Sequence, residues 1–331
     1  MLEIVNLMHS IEELRKIFTQ YLEQESFQQA PKNLYEPNNY FLSIGGKRLR
    51  PILLLLATEL FGEKATASLS AALAIEYFHN FTLIHDDVMD KAPVRRGFVT
   101  IHEKYNLNTA ILSGDVLMIK ACEYLSKVNP IYFKKVFDIY VKTAIEVCEG
   151  QQYDIDFETQ EKVTHQEYIE MIRLKTSVLL AASMKIGAIL GHAQDTDADL
   201  LYQYAENLGI AFQIQDDILD AYGDEALVGK QPGGDIIQNK KTLLYIEAEK
   251  KSIANNDQRL QDWTYKTTFD KTEKVTAVLH IFDDYQIKDF ALKERDFYVQ
   301  QSLDSLAKIN LPADRKAVLK SLVDYLVVRD F

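Results

Sequence analysis

Two runs of aspartate with the same spacing carry the clearest chemistry in this chain, Asp86-Asp87-Val88-Met89-Asp90 and Asp216-Asp217-Ile218-Leu219-Asp220. On a helix at 100° per residue the first and last aspartates of each run stand one above the other, with the second about a quarter-turn aside. Like charges at that spacing oppose helix formation by a few tenths of a kcal/mol per pair, and each run closes a largely apolar stretch. A cation is called for. Magnesium fits best: it takes hard oxygen ligands, keeps several waters, and is usually held by one or two carboxylates with substrate phosphate completing the shell. One such run is commonly a solvated helix end. Two on separate helices point to a shared task, and six carboxylates facing one cavity are tolerable only around several divalent ions.

Basic residues stand beside both runs. Gly45-Gly46-Lys47-Arg48-Leu49-Arg50-Pro51 sets three cations after a flexible turn and before the apolar helix from Ile52, where Lys47, Arg50 and the first backbone amides would cradle an anion. Arg95-Arg96-Gly97 follows the first acidic run by five residues, and Lys230 and Lys240 flank Gly233-Gly234-Asp235 after the second. Taken singly, each cation reads as a solvated surface residue. Their placement beside the aspartates reverses that reading and implies two anion sites, one bridged by metal and one made only of cations. Two phosphorylated substrates, or one with a phosphorylated partner, would account for both. His79 lies seven residues before Asp86, 20° short of two full turns, and so shares its helix face.

These groups must be positioned by helices. Apolar periodicity of 3.6 dominates the chain, and alternating Val/Ile/Thr segments bounded by turn residues are hard to find, so the fold class is all-α. Breaks are expected at Pro31 to Asn39, Gly45-Gly46, Gly62 to Lys64, Lys91 to Gly97, Asn129-Pro130, Gly191 to Asp197 and Gly223 to Gly234, giving about ten or more helices. The N-terminal stretch from Met1 to Phe18 reads as an amphipathic helix, and residues 251 to 275, the most polar part, as a surface excursion. No break has the character of an interdomain linker, so the 331 residues are expected to form one domain. A net charge of −12 disfavours nucleic acid or an anionic membrane surface as partner. The longest purely apolar run, Ile52 to Ala57, is far short of the roughly 20 residues that span a bilayer, so no integral membrane segment is expected. Two cysteines, Cys122 and Cys148, without metal-type spacing suit a reducing cytoplasm.

In their order, Gly-Gly-Lys-Arg-Leu-Arg-Pro at 45 to 51, the two aspartate runs, Arg95-Arg96-Gly97, Gly114-Asp115, Lys175-Thr176, Phe212-Gln213 and Gly229-Lys230 with Asp235 and Lys240 resemble the trans-isoprenyl diphosphate synthases, the polyprenyl synthetase family, from Tyr40 to the C-terminal helices. The resemblance implies a single large helical bundle around a central cavity, the isoprenoid synthase fold, over residues 1–331. It also implies head-to-tail condensation of isopentenyl diphosphate with an allylic diphosphate. By the same resemblance Asp86 and Asp90 ligate two magnesium ions and Asp216 a third, with Asp87, Asp217, Asp220 and Asp235 in support. Arg95, Lys175, Lys230 and Lys240 would hold the allylic diphosphate, and Lys47, Arg50, His79 and Arg96 isopentenyl diphosphate. Thr176 and Gln213 would stand beside the allylic carbocation. A homodimer is implied too. One departure is Phe98-Val99 after Arg-Arg-Gly, where the family usually has a proline two residues on, and this leaves the shape of that loop open.

Product length in the family resembles a ruler set by side chains upstream of the first aspartate run. Here these are Phe78, Phe81 and Thr82, and one large and one small residue five and four places before Asp86 resemble the geranylgeranyl diphosphate type; aromatics at both would suggest farnesyl diphosphate. Core packing is the plain alternative for either phenylalanine. A class I terpene cyclase would share the first motif but resembles Asn-Ser-Glu at its second and needs no second diphosphate site. A non-catalytic regulatory subunit should have broken acidic runs, and both are intact.

Overall fold

The computed structural model describes residues 8–223 and 233–327. Among them are sixteen α-helices and one two-stranded hairpin, so the all-α expectation holds. The chain divides into two compact units, Met1–Val141 with Ala182–Asp199, and Lys142–Ala181 with Leu200–Phe331.

In the first unit, helix α1 (Ile11–Gln24) opens on a capping box in which Ser10 Oγ accepts from the Glu13 amide at 3.3 Å and Glu13 accepts from the Ser10 amide at 2.8 Å. Of the helix expected over Met1 to Phe18, residues 1–7 lie outside the described residues, 8–10 are not helical, and the remainder buries Leu14, Phe18 and Leu22 at four-residue spacing. Pro31 to Asn39, expected as a break, lies mostly inside helix α2 (Lys32–Ser43). Pro37 forgoes the bond to the Asn33 carbonyl, but it is buried, as are Phe41 and Leu42, and Asn39 clamps the preceding loop through both backbone polar atoms of Phe27, at 2.8 and 2.9 Å. Helix α3 (Leu49–Leu60) is buried from Pro51 onward on every face. A Cβ on Gly187 of helix α9 (Val178–Leu190) would collide with the Leu54 carbonyl, so the glycine permits close packing there.

Helix α4 (Leu69–Met89) carries the first acidic run at its C-terminus. It stops in a Schellman motif: Lys91 takes φ +51°, its amide donates to Val88 O at 3.3 Å, and the Ala92 amide donates to Asp87 O at 3.0 Å. The chain then turns back as strands β1 (Val94–Arg95) and β2 (Phe98–Val99), pairing Val94 with Val99 and Arg95 with Phe98. Arg96 and Gly97 both have positive φ, +53° and +80°, the signature of a two-residue type I′ turn. This settles the loop left open by the missing proline. The hairpin is followed by α5 (Ile101–Lys104) and α6 (Leu107–Leu125).

The second unit takes up within helix α7 (Pro130–Thr159). Helix α8 (His165–Ile172) starts on a Thr164–Glu167 capping box and passes through a π-helical turn, Arg173–Ser177. Such wide turns occur frequently at functional sites. This one is clasped by two glycines: a Cβ on Gly150 of α7 would strike the Lys175 amide, and one on Gly209 of α10 (Asp195–Tyr222) would strike Ser177. Helix α10 buries Ile210, Ile214 and Ile218 against a core that includes Leu243, Leu244, Ile281 and Phe282. Beyond it come α11 (Gly234–Ile237), α12 (Leu243–Ala254), α13 (Arg259–Tyr265), α14 (Lys271–Asp284), α15 (Ile287–Lys308) and α16 (Ala313–Val327). The expected surface excursion at 251 to 275 is therefore largely helical, and it buries Leu260 and Lys274.

Candidate active site

In the first unit the hairpin exists to return Arg95 to the helix end it follows. Its Nε donates to Asp87 Oδ1 at 2.6 Å and its Nη2 to Asp86 Oδ2 at 3.0 Å. Asp87 is 1% exposed, and burial raises its pKa above the usual carboxylate value although Arg95 opposes the shift. Among the described residues its Oδ2 is buried without a hydrogen-bond donor. Asp86 is half-buried, and Asp90, the last residue of the run, is exposed.

Around His79, at the middle of the same helix, gather Arg48 and Arg50 from the start of α3 and Arg95 and Arg96 from the hairpin. Arg50 Nη1 donates to His79 Nε2 at 3.2 Å. Burial pulls the Arg50 pKa down to about 10, and its Nε is buried with no acceptor among the described residues. Burial, then the positive charge of Arg50 and of Arg96, Arg95 and Arg48, holds the His79 pKa well below the ordinary imidazole value. Arg96 donates to the Gly45 carbonyl, and a Cβ on Gly46, at φ +137°, would collide with its guanidinium. Lys47 is exposed.

Arg48, the cation between the two expected in the cradle, is engaged in the core instead. It caps α3 in the left-handed region at φ 50°, and its guanidinium is buried on the Glu76 carboxylate and the Leu42 carbonyl. Asn80 Nδ2 joins Glu76 Oε1 at 2.8 Å. Sequence reading missed Glu76 and Asn80; a glutamate at the centre of an apolar helix was the available signal.

In the second unit, Lys175 of the π turn donates to Asp154 at 2.6 Å, and Thr176 Oγ1 donates to Gln213 Oε1 at 3.3 Å. Gln213 Nε2 passes a hydrogen bond on to Asp217 Oδ1 at 3.2 Å, while the buried Tyr168 hydroxyl donates to Asp217 Oδ2. Burial, then the charge of Asp235, pushes the Asp217 pKa up to about 8. Asp220 Oδ2 accepts the Asp235 amide at 2.9 Å, and Lys240 lies 3.8 Å from Asp235. Asp216 is half-buried. Asp154 and Tyr168 were not singled out beforehand; Gly150 inside α7 was the one cue to the close approach of the π turn. Lys230 and Gly229 lie outside the described residues.

Among the described residues no three His, Cys, Asp or Glu side chains close on one point. Magnesium does not require that: one or two carboxylates, water and substrate oxygen suffice. The donor set, all carboxylate oxygen with one buried oxygen unsatisfied at Asp87, fits a hard cation.

The family model for polyprenyl synthetase matches residues 31–282. The chain is 41% identical to a geranylgeranyl diphosphate synthase of Methanosarcina mazei over 91% of each chain, and 35% identical to a geranylfarnesyl diphosphate synthase of Natronomonas pharaonis over 97% of each. Its fold matches a crystal structure of a geranylgeranyl pyrophosphate synthase with a TM-score of 0.93 at 38% identity, covering 98% of this chain and all of the other. The chain belongs to the polyprenyl synthetase family. It is an enzyme, and its activity is that of a trans-prenyltransferase.

Proposed function

We propose that this prenyltransferase joins isopentenyl diphosphate head to tail to an allylic diphosphate and releases geranylgeranyl diphosphate. The observation that carries the reading is the division of helix α4, which offers His79 among arginines and, two turns on, the Asp86 to Asp90 carboxylates. Arginines gathered around the middle of this helix and carboxylates at its end suit a free diphosphate and a metal-borne one. The relatives and the matched structure named for geranylgeranyl diphosphate, with Phe81-Thr82 ahead of Asp86, support the product. No helix among the described residues is long and apolar enough to cross a membrane.

Asp86 and Asp90 would hold two magnesium ions and Asp216 a third, with Asp87, Asp217, Asp220 and Asp235 in support. Magnesium held there would supply positive charge to offset that of the departing diphosphate. Arg95, Lys175, Lys230 and Lys240 take the remaining oxygens of the allylic diphosphate. Its carbon–oxygen bond breaks, and Thr176 and Gln213 stand on the side where the carbocation develops. Lys47, Arg50, His79 and Arg96 hold isopentenyl diphosphate, whose double bond supplies the electron pair of the new carbon–carbon bond. A proton then passes from the new cation to the departing diphosphate. Apolar walls keep water from the carbocation.

The two units act as one functional domain in this reading. The exposed apolar side chains of α6, Leu107, Leu112 and Ile119, support a second copy of the chain as partner. Free thiols at Cys122 and Cys148 support a cytoplasmic setting.

Titration calorimetry tests the division of labour. Isopentenyl diphosphate should bind without magnesium, whereas a non-ionising allylic thiodiphosphate should bind only with it. Magnesium dependence for both ligands, or for neither, overturns the two-site assignment.

A further inference from the structure

Lys274 lies in the first turn of α14 and is 1% exposed. Its Nζ donates to Asn239 Oδ1 at 2.6 Å and to the Ile237 carbonyl at 3.2 Å, and stands 4.3 Å from the centroid of the Phe269 ring. A buried ammonium costs several kcal/mol unless its protons are bonded, and a methionine would fill the same volume without that cost. The charge therefore has work at this position, and its partners say what the work is.

Ile237 is the last residue of α11, and its carbonyl is one of those a helix end leaves unsatisfied. Asn239 adopts φ +57° and passes its own Nδ2 to the Thr264 carbonyl at 3.0 Å. From there the Lys240 amide turns back to Asp235 O at 2.9 Å. At its other end the segment is fastened to the second acidic run: Asp220 takes the Gly233 amide on its carbonyl at 2.5 Å and the Asp235 amide on its carboxylate. Val275, next to Lys274, packs so closely on Gly233 that a Cβ there would collide with it. Residues 233 to 240 are thus held between Asp220 and Lys274. A cavity of about 20 Å³, lined among others by Asp235, Asn239, Lys240 and Lys274, has room for one water beside this turn.

We infer that Lys274 is a positioning residue for prenyl transfer, its ammonium fixing the turn that presents Asp235 and Lys240. This rests on the proposal that Lys240 contacts the allylic diphosphate, and the test separates the two. Lys274→Met keeps the volume and removes the charge; Asn239→Gly removes the acceptor while tolerating the left-handed backbone. Steady-state kinetics should show both raising the KM of the allylic diphosphate about tenfold, as Lys240→Ala should, with the KM of isopentenyl diphosphate changed less than about twofold. A structural role alone would lower Tm without that split. If Lys240→Ala raises the allylic KM while Lys274→Met and Asn239→Gly leave it at the wild-type value, the inference about Lys274 is overturned and the site assignment stands. If Lys240→Ala itself leaves the allylic KM unchanged, the assignment of Lys240 falls and the inference falls with it.

Discussion

Arg50 donates to His79 at 3.2 Å, and because a guanidinium cannot accept a hydrogen bond, the imidazole must accept at Nε2 and carry its proton on Nδ1. His79 is therefore neutral in the folded chain, with a pKa held below the unfolded value of 6.5 by burial first and Arg50 second. A depressed pKa means that the stability tied to the neutral ring is fully present above the unfolded pKa and is lost as pH falls below it. Tm should decline as pH is lowered from about 8 to about 5, and His79→Gln, which keeps an acceptor for Arg50, should flatten that decline. Parallel Tm curves for the two proteins would show that His79 does not contribute to it.

Asp86→Ala should lower turnover by about two to three orders of magnitude, since it removes one strong electrostatic group from a preorganised site. Folding should be unaffected, because Arg95 keeps its 2.6 Å bond to Asp87. Single-turnover assays at limiting magnesium, with circular dichroism alongside, check both halves; near-normal turnover would remove Asp86 from the metal site.

Much of this was legible in the sequence because helical period and acidic spacing are local. The hairpin after Asp90 was not: its strands are two residues each, and its turn depends on left-handed angles at Arg96 and Gly97. Nor was the fate of Arg48, since only tertiary packing brings Glu76 to it. The polar stretch from 251 to 275 is mostly exposed, as expected, but Lys274 within it was not legible: a lysine reads as surface until a buried carbonyl and amide are found waiting for it. Pro37 likewise broke a local rule that burial overrode.

Neighbouring cations should consequently behave differently. Lys47→Ala is expected to raise the KM of isopentenyl diphosphate more than that of the allylic substrate and to leave Tm unchanged. Arg48→Ala should instead cost about 3–5 kcal/mol of stability, because it strands the buried Glu76 carboxylate. Denaturant unfolding and two-substrate kinetics on both variants decide the matter. Equal effects of Lys47→Ala on both KM values would mean that the two anion sites have been confused.

Product length is the next expectation. Phe81 is 9% exposed with its ring 4.8 Å from His85, whereas Phe78, 1% exposed, packs on both Phe81 and Tyr140 at about 5.5 Å. Phe81→Ala should lengthen the product by at least one isoprene unit. Phe78→Ala should cost about 3–5 kcal/mol of stability as a core truncation. Chromatography of dephosphorylated products reads the first: an unchanged product from Phe81→Ala with a longer one from Phe78→Ala would move the stop to Phe78.

The central claim is tested most directly by incubating the enzyme with labelled isopentenyl diphosphate, an allylic diphosphate and magnesium, then separating the products. The account predicts magnesium-dependent incorporation into all-trans geranylgeranyl diphosphate with release of one diphosphate per condensation. A cyclised hydrocarbon, or no incorporation with any allylic primer, would contradict it.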